Sequence, residues 1–288
     1  MDRLEIKSER LRVVFQSPGT FYKGPRFDWT GFITDIVLDG KHTFCTDESL
    51  VAGQGTGGRG LCNEFGIHEP VGYDEAKTGE WFPKIGIGLL KKTADKPYSF
   101  WDPCEITPFE VRVSSGSDTA KFVSEPVLCN GYAVRLTKTF SVEGNRLIIR
   151  YHLENTGEKV IDTTEYVHNF VNIDRKGIGK HSELSFSFVP AGENMPDIFM
   201  VNGNTIGFRD IPGKEFYWRT DNPGAQPPSW WMLKDRDTGA GIKETADFPL
   251  LRVAIWGKAH VISPEFFIHI HLKPQEIKEW SRVYEFIG

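Results

Sequence analysis

The chain has 288 residues, 39% hydrophobic and 25% charged, a balance that excludes disorder and allows a large core without disulfide or metal staples. Its net charge of −5, with Lys and Arg scattered rather than clustered, offers no field for a polyanion, so nucleic acid is not an expected partner. No apolar run approaches the about 20 residues of a membrane helix, so no membrane partner is expected, and the opening MDRLEIKSERLRVVF lacks a secretory apolar segment, which makes a cytoplasmic location the expectation.

Twenty-nine glycines and 17 prolines are spread over the whole length and leave little room for helices. Short alternating runs recur instead, beginning with Phe32 to Leu38 before the turn Asp39-Gly40. Residues 45–105 come next and read as loops, with Gly53-Gln54-Gly55-Thr56-Gly57-Gly58 and the breaks Pro70, Pro83, Pro97 and Pro103. Loops of that length often line or cover a site. The run Gly53 to Gly60 could cradle an oxyanion with its N–H groups, but it lacks the G-K-[ST] and helix of a phosphate loop. Tight turns between strands explain it better.

Strand patterning resumes at Phe109 to Val113 before Ser114 to Ser117. A hairpin of period two follows: Tyr132, Val134 and Leu136 alternate with Ala133, Arg135 and Thr137, Glu143-Gly144-Asn145 turns the chain, and Leu147, Ile149, Tyr151 and Leu153 alternate again. Further strands are expected at Glu183 to Val189, Leu251 to Trp256, Phe266 to Leu272 and Ser281 to Phe286. Strands and turns throughout predict an all-β chain folded as a large antiparallel β-sandwich. No linker or fixed-period repeat interrupts it, so residues 1–288 are expected to form a single domain. The 21 Phe and 8 Trp suit the core of such sheets.

Chemistry-bearing residues are few. Cys45, Cys62, Cys104 and Cys129 stand far apart without a C-x-x-C pair and read as reduced structural thiols, an extracellular disulfide pair being the alternative. Neither G-x-S-x-G nor a cysteine-nucleophile signature is present. In FFIHIHL, His269 and His271 share strand parity with Glu265 and form a conceivable His/His/Glu metal cluster; a polar stripe is the plainer reading. Tyr166, His168, Phe170 and Asn172 also share parity, giving a mixed polar and aromatic face unlike that of a core strand. By spacing alone, His168 reads first as a structural histidine. Glu265, in Ser263-Pro264-Glu265-Phe266-Phe267, has bulky apolar neighbours that would desolvate a carboxylate, although an exposed strand-edge residue is the simpler account.

Family likeness changes that weighting. EYVHNFVNI resembles the N-H-x-Y-F-N strand of the aldose 1-epimerases (galactose mutarotases), with His168 at the histidine, Phe170 at the tyrosine-like position and Asn172 at the asparagine. HVISPEFFIHI is similar to the strand carrying that family's catalytic glutamate, and KPQEIKEWSRVYEF is similar to its P-G-E-x-x-x-W-x-x-x-Y-x-F ending. The N-terminal half departs from the pattern. Gly58 to Gly66 resembles a cross between the G-R-x-x-N segment of free-sugar mutarotases and the R-G-G-x-P…F-G segment of hexose-6-phosphate mutarotases, so only Arg59 is carried over, as a substrate-binding arginine. The family's H-G histidine has no counterpart in Phe82 to Gly88; Lys84 is our own candidate for its place, and Arg26 in GPRFDWTG is a further candidate wall residue or edge-strand residue.

The resemblance implies a β-super-sandwich and an aldose 1-epimerase that interconverts sugar anomers without cofactor or metal. Glu265 would be the base on the anomeric hydroxyl and His168 the acid on the ring oxygen, with Arg59, Lys84, Arg26 and Phe170 around the sugar. The expected partner is a small-molecule sugar, and the expected state a monomer or homodimer. Two alternatives stay open: a non-catalytic carbohydrate-binding protein on the same fold, and a metal-dependent sugar isomerase or lyase using Glu265, His269 and His271. Glycoside hydrolysis is weaker, because it normally needs two carboxylates and only Glu265 stands out.

Overall fold

The computed structural model describes residues 3–288, and its regular elements among them are 22 strands with no helix. Period-two alternation produces the two large sheets. The hairpin Val134–Glu143 and Arg146–Asn155 alternates buried and half-exposed residues along almost its whole length. Its register closes at Glu143 opposite Arg146, so Gly144-Asn145 is a two-residue turn, with Gly144 at φ +56°.

One sheet of nine strands runs Arg3–Lys7, Leu11–Gln16, Phe32–Leu38, Gly60–Phe65, Ile161–Phe170, Val261–Leu272, Arg252–Lys258 and Phe216–Asp221, with His42–Thr43 paired beside Phe32–Leu38. The second has ten strands, centred on Gly241–Ala246, Ile277–Ile287 and Arg146–Asn155. All pairings are antiparallel, and the inner faces enclose one continuous core in which Phe15, Phe122 and Phe140 pack with centroids 4.8 to 5.7 Å apart. Burial of that apolar surface, at about 25 cal/mol per Å², is the main drive to this arrangement.

The sandwich interior is also cross-tied by buried polar groups. Arg282 of the second sheet lies 2.7 Å from Glu165 of the first and 2.5 Å from Glu244 of its own, all with fully buried side chains. Tyr284 donates to Asn169 at 3.0 Å, and Lys138 contacts Asp28 at 3.0 Å and Asn63 at 2.7 Å. Paired buried charges add little net stability, but removing one partner is costly. Glu165 and Asn169 point inward from the strand whose outward residues are Tyr166 and His168, so these ties fix the strand that carries the histidine.

The large-sandwich expectation stands, and several boundaries move. Leu251 to Trp256 is Arg252–Lys258, and Phe266 to Leu272 is the second half of Val261–Leu272. The stretch expected to be loop is partly sheet: Gly60–Phe65 joins the first sheet, while Gly88–Lys91 pairs with Trp81–Lys84 on one side and Ile106–Pro108 on the other in a small third one. Among the described residues, no helix is long and apolar enough to cross a membrane.

Candidate active site

The same alternation that fills the core leaves an outer face on the first sheet. From four neighbouring strands the outward residues are Tyr166 and His168, Glu265 and Phe267, Arg252 and Trp256, and Tyr217 and Arg219. They floor a cavity of about 460 Å³ roofed by Gln54-Gly55, Ile67-His68 and Phe100-Trp101.

The histidine and the glutamate meet there. His168 Nε2 lies 3.4 Å from Glu265 Oε1, and both side chains are 5% exposed. Ser263 sets the carboxyl: its hydroxyl donates to Glu265 Oε1 at 2.9 Å and accepts from the Asn169 amide at 2.8 Å. Stacking sets the imidazole, whose ring lies 3.9 Å from that of Phe170 at 12°, with Trp256 edge-on at 5.2 Å. Nδ1 is buried without a protein partner, so no carboxylate behind the ring raises its basicity.

Electrostatics reverse the proton placement expected from ordinary values. Burial pushes the Glu265 carboxyl up to about 8, against the pull of Ser263 and Arg26. Burial, then Arg26, hold the His168 imidazole well below its usual range. Near neutrality the pair therefore holds one proton, on Glu265, with His168 as the free base. Transfer across the 3.4 Å gap gives the carboxylate–imidazolium form. Either form has one proton to give and one site to receive one.

Of the two arginines expected around the sugar, Arg26 lines the cavity. Its guanidinium donates to Glu64 at 2.9 Å, Tyr166 at 3.1 Å and Thr56 at 3.1 Å, and faces the Phe100 ring at 4.1 Å. Arg59 corrects the sequence reading. It donates to the Thr34 carbonyl at 3.0 Å and Asp47 at 2.8 Å and does not line the cavity. Lys84 is likewise displaced: fully buried behind the cavity wall, it donates to the Gly66 carbonyl at 2.9 Å and stands 3.8 Å from Glu64, and burial pulls its ammonium down to about 8. Phe170 supports the histidine from behind and does not line the cavity. His269 and His271 bind the two oxygens of exposed Asp162 at 2.9 Å each, while Glu265 is engaged with Ser263 and His168. Among the described residues, no group of three or more His, Cys, Asp or Glu is placed to hold a metal ion.

The glycine run does cradle an oxyanion, one of the chain's own. Glu48 accepts from the Thr56 amide at 2.6 Å and the Gly58 amide at 3.2 Å. Gly55, at φ +78°, must lack a side chain because its Cβ would sit 2.8 Å from that carboxyl. Sequence reasoning missed Tyr166, Ser263, Arg219 and Arg252 as site residues. The signal was available for Arg252, which shares outward parity with Trp256, and for Arg219, which shares it with Tyr217.

No family model and no curated protein matches the chain by sequence. Solved structures do match its shape. A proposed aldose 1-epimerase from Escherichia coli K12 superposes with a TM-score of 0.64 at 12% identity, covering 99% of this chain and 98% of that one. A galactose mutarotase-like protein from Lactobacillus casei gives 0.62 at 11% identity, with 99% of each chain covered. The chain has the galactose mutarotase-like fold. An aldose epimerase homologue from C. elegans extends the likeness at 0.54 and 14% identity, over 99% and 98% of the two chains. This mutarotase-like sandwich places His168 and Glu265 on the outer face of one sheet, at the floor of the cavity.

Proposed function

We propose that the protein is a cofactor-independent aldose 1-epimerase acting on a sugar or sugar derivative, with His168 and Glu265 as its catalytic pair. The observation that carries this is the 3.4 Å separation of His168 Nε2 and Glu265 Oε1 at the cavity floor. Anomer exchange opens a hemiacetal: one proton leaves the anomeric hydroxyl, another reaches the ring oxygen, and the C1–O5 bond breaks. The carbonyl then turns and reclosure reverses both transfers. The two reacting oxygens share one carbon and stand closer together than the pair does, so hydrogen bonds of ordinary length connect each to one member.

The arrangement expected from ordinary charges, carboxylate as base and imidazolium as acid, is one form of this singly protonated pair. In it Glu265 takes the hydroxyl proton and His168 protonates the ring oxygen; in the other form the roles exchange. Because a singly protonated pair ends the cycle with one proton, no external acid or base is consumed. Arg26 holds Tyr166 and Glu64 in place beside the pair and presents a cationic edge to sugar hydroxyls. A soluble sugar as partner and a cytoplasmic setting belong to the same proposal.

Exchange NMR on freshly dissolved α-anomers of glucose, galactose and their 6-phosphates tests the reading. Anomer exchange above the buffer rate supports it. Saturable binding with no acceleration on any of them would instead indicate a carbohydrate-binding protein.

A further inference from the structure

The two strands that carry His168 and Glu265 part company beside those residues. Ile161–Phe170 pairs with Val261–Leu272 as far as Glu165 opposite Ile268, and the two chains meet again at the bridge between Val171 and Ile262. Both advance by the same number of residues between these points, so the register is kept, with His168 opposite Glu265 and Asn169 opposite Pro264.

Ladder alternation shows what is missing. Val171 and Ile262 exchange both backbone bonds, at 3.1 and 3.0 Å, so Asn169 and Pro264 are the next two residues due to exchange theirs. Pro264 has no N–H to give, the reason a central strand normally excludes proline. On its other side the strand stays paired with Arg252–Lys258, through Ile255 opposite Pro264. Side chains take over on the open side. The Asn169 backbone N–H turns to the Ser263 hydroxyl at 2.8 Å, and its side-chain amide donates to the Pro264 carbonyl at 2.6 Å and the Val167 carbonyl at 3.2 Å. From the second sheet, Tyr284 donates to Asn169 Oδ1 at 3.0 Å and Arg282 to the Phe266 carbonyl at 3.0 Å. The gap is therefore filled and hydrogen-bonded, not frayed. In a closed ladder His168 and Glu265 would be a non-hydrogen-bonded pair, the closer kind, with Cα atoms about 4.5 Å apart. Here Nε2 and Oε1 stand 3.4 Å apart, beyond the about 2.7 to 3.2 Å of an ordinary bond.

Resting on the epimerase reading for what the pair does, we propose that Pro264 and Asn169 are its positioning residues: the proline keeps the ladder open and the asparagine bridges the opening, so that His168 and Glu265 stand side by side without bonding each other and each keeps a polar atom for the substrate.

Pro264→Ala restores the missing N–H and tests this without removing any group from the pair. The regained ladder bond offsets the chain freedom that the proline had restricted, so the thermal midpoint is expected near that of wild type. The new amide at position 264 should be protected from hydrogen exchange, and kcat should fall about tenfold or more with KM within about twofold. A proline with only a structural role would not slow turnover at unchanged stability. Asn169→Ala, which strips the bridge from the Pro264 carbonyl, should lower kcat and stability together. The inference is overturned if the amide at 264 exchanges freely, or if Pro264→Ala turns over at the wild-type rate. Absence of anomer exchange in wild type would instead remove the epimerase reading. The crystal structure of Pro264→Ala then decides the positioning claim: His168 Nε2 and Glu265 Oε1 drawn into hydrogen-bond contact supports it, and an unchanged separation overturns it.

Discussion

Raising pH should switch the pair off near the point where Glu265 loses its proton. The carboxyl stands at about 8 instead of 4.5, which weights its protonated form by about 5 kcal/mol at about 1.36 kcal/mol per tenfold. Below that value the pair holds one proton and is competent. Above it, with His168 already neutral, the pair has a base and no acid. Enzyme-dependent kcat/KM should therefore be flat around pH 7, near one tenth of its plateau at about pH 9, and fall about tenfold for each further unit. At the acid end His168 resists protonation, so the activity should persist at pH 6, where an ordinary imidazole is mostly charged. Ser263 supplies an internal control. Its hydrogen bond favours the carboxylate, so Ser263→Ala should move the alkaline limb upward. The assay is anomer exchange by NMR across pH 5 to about 10, with the buffer rate subtracted at each point. A rate that climbs through pH 8 as the carboxylate forms would refute the one-proton pair.

Three further outcomes separate the site from its surroundings. Arg59→Ala should leave the sugar KM within about twofold of wild type, because that arginine faces Asp47 and Thr34, whereas Arg26→Lys should raise it through loss of the planar contacts to Glu64 and Tyr166. Gly58→Ala should lower kcat/KM, since the added Cβ falls on the Phe170 ring that supports His168; wild-type kinetics would show that the stack is not what positions the imidazole. Arg282→Met should cost about 3 to 5 kcal/mol in urea unfolding by stranding Glu165 and Glu244, and a loss below about 1 kcal/mol would mean the buried carboxyls find other compensation.

Strand alternation made the sandwich legible, because inward residues such as Leu136, Phe140, Ile149 and Leu153 repeat at a period no helix uses. The small sheet was not legible: Trp81-Phe82-Pro83-Lys84 is short and carries a proline, and its partner Gly88–Lys91 is just as short. Parity on the histidine strand was visible and held, with Tyr166 and His168 facing outward together. Which arginine reaches the cavity was not. Arg59 sits at a bridge just before Gly60–Phe65 and Arg26 in an irregular segment, and only the folded chain shows that one meets Asp47 and the other Glu64. Apolar neighbours of Glu265 hinted at desolvation, but the proton on it was hidden, because complete burial depends on the folded chain and not on local spacing.

Anomer-exchange rates of wild type, His168→Asn, Glu265→Gln and the double variant put the central idea to its most direct test. Each single substitution should remove about 10² to 10⁴ in rate, and the double should lose little beyond the more damaging single, as expected of groups that share one proton. Wild-type exchange surviving in either single variant would contradict the account.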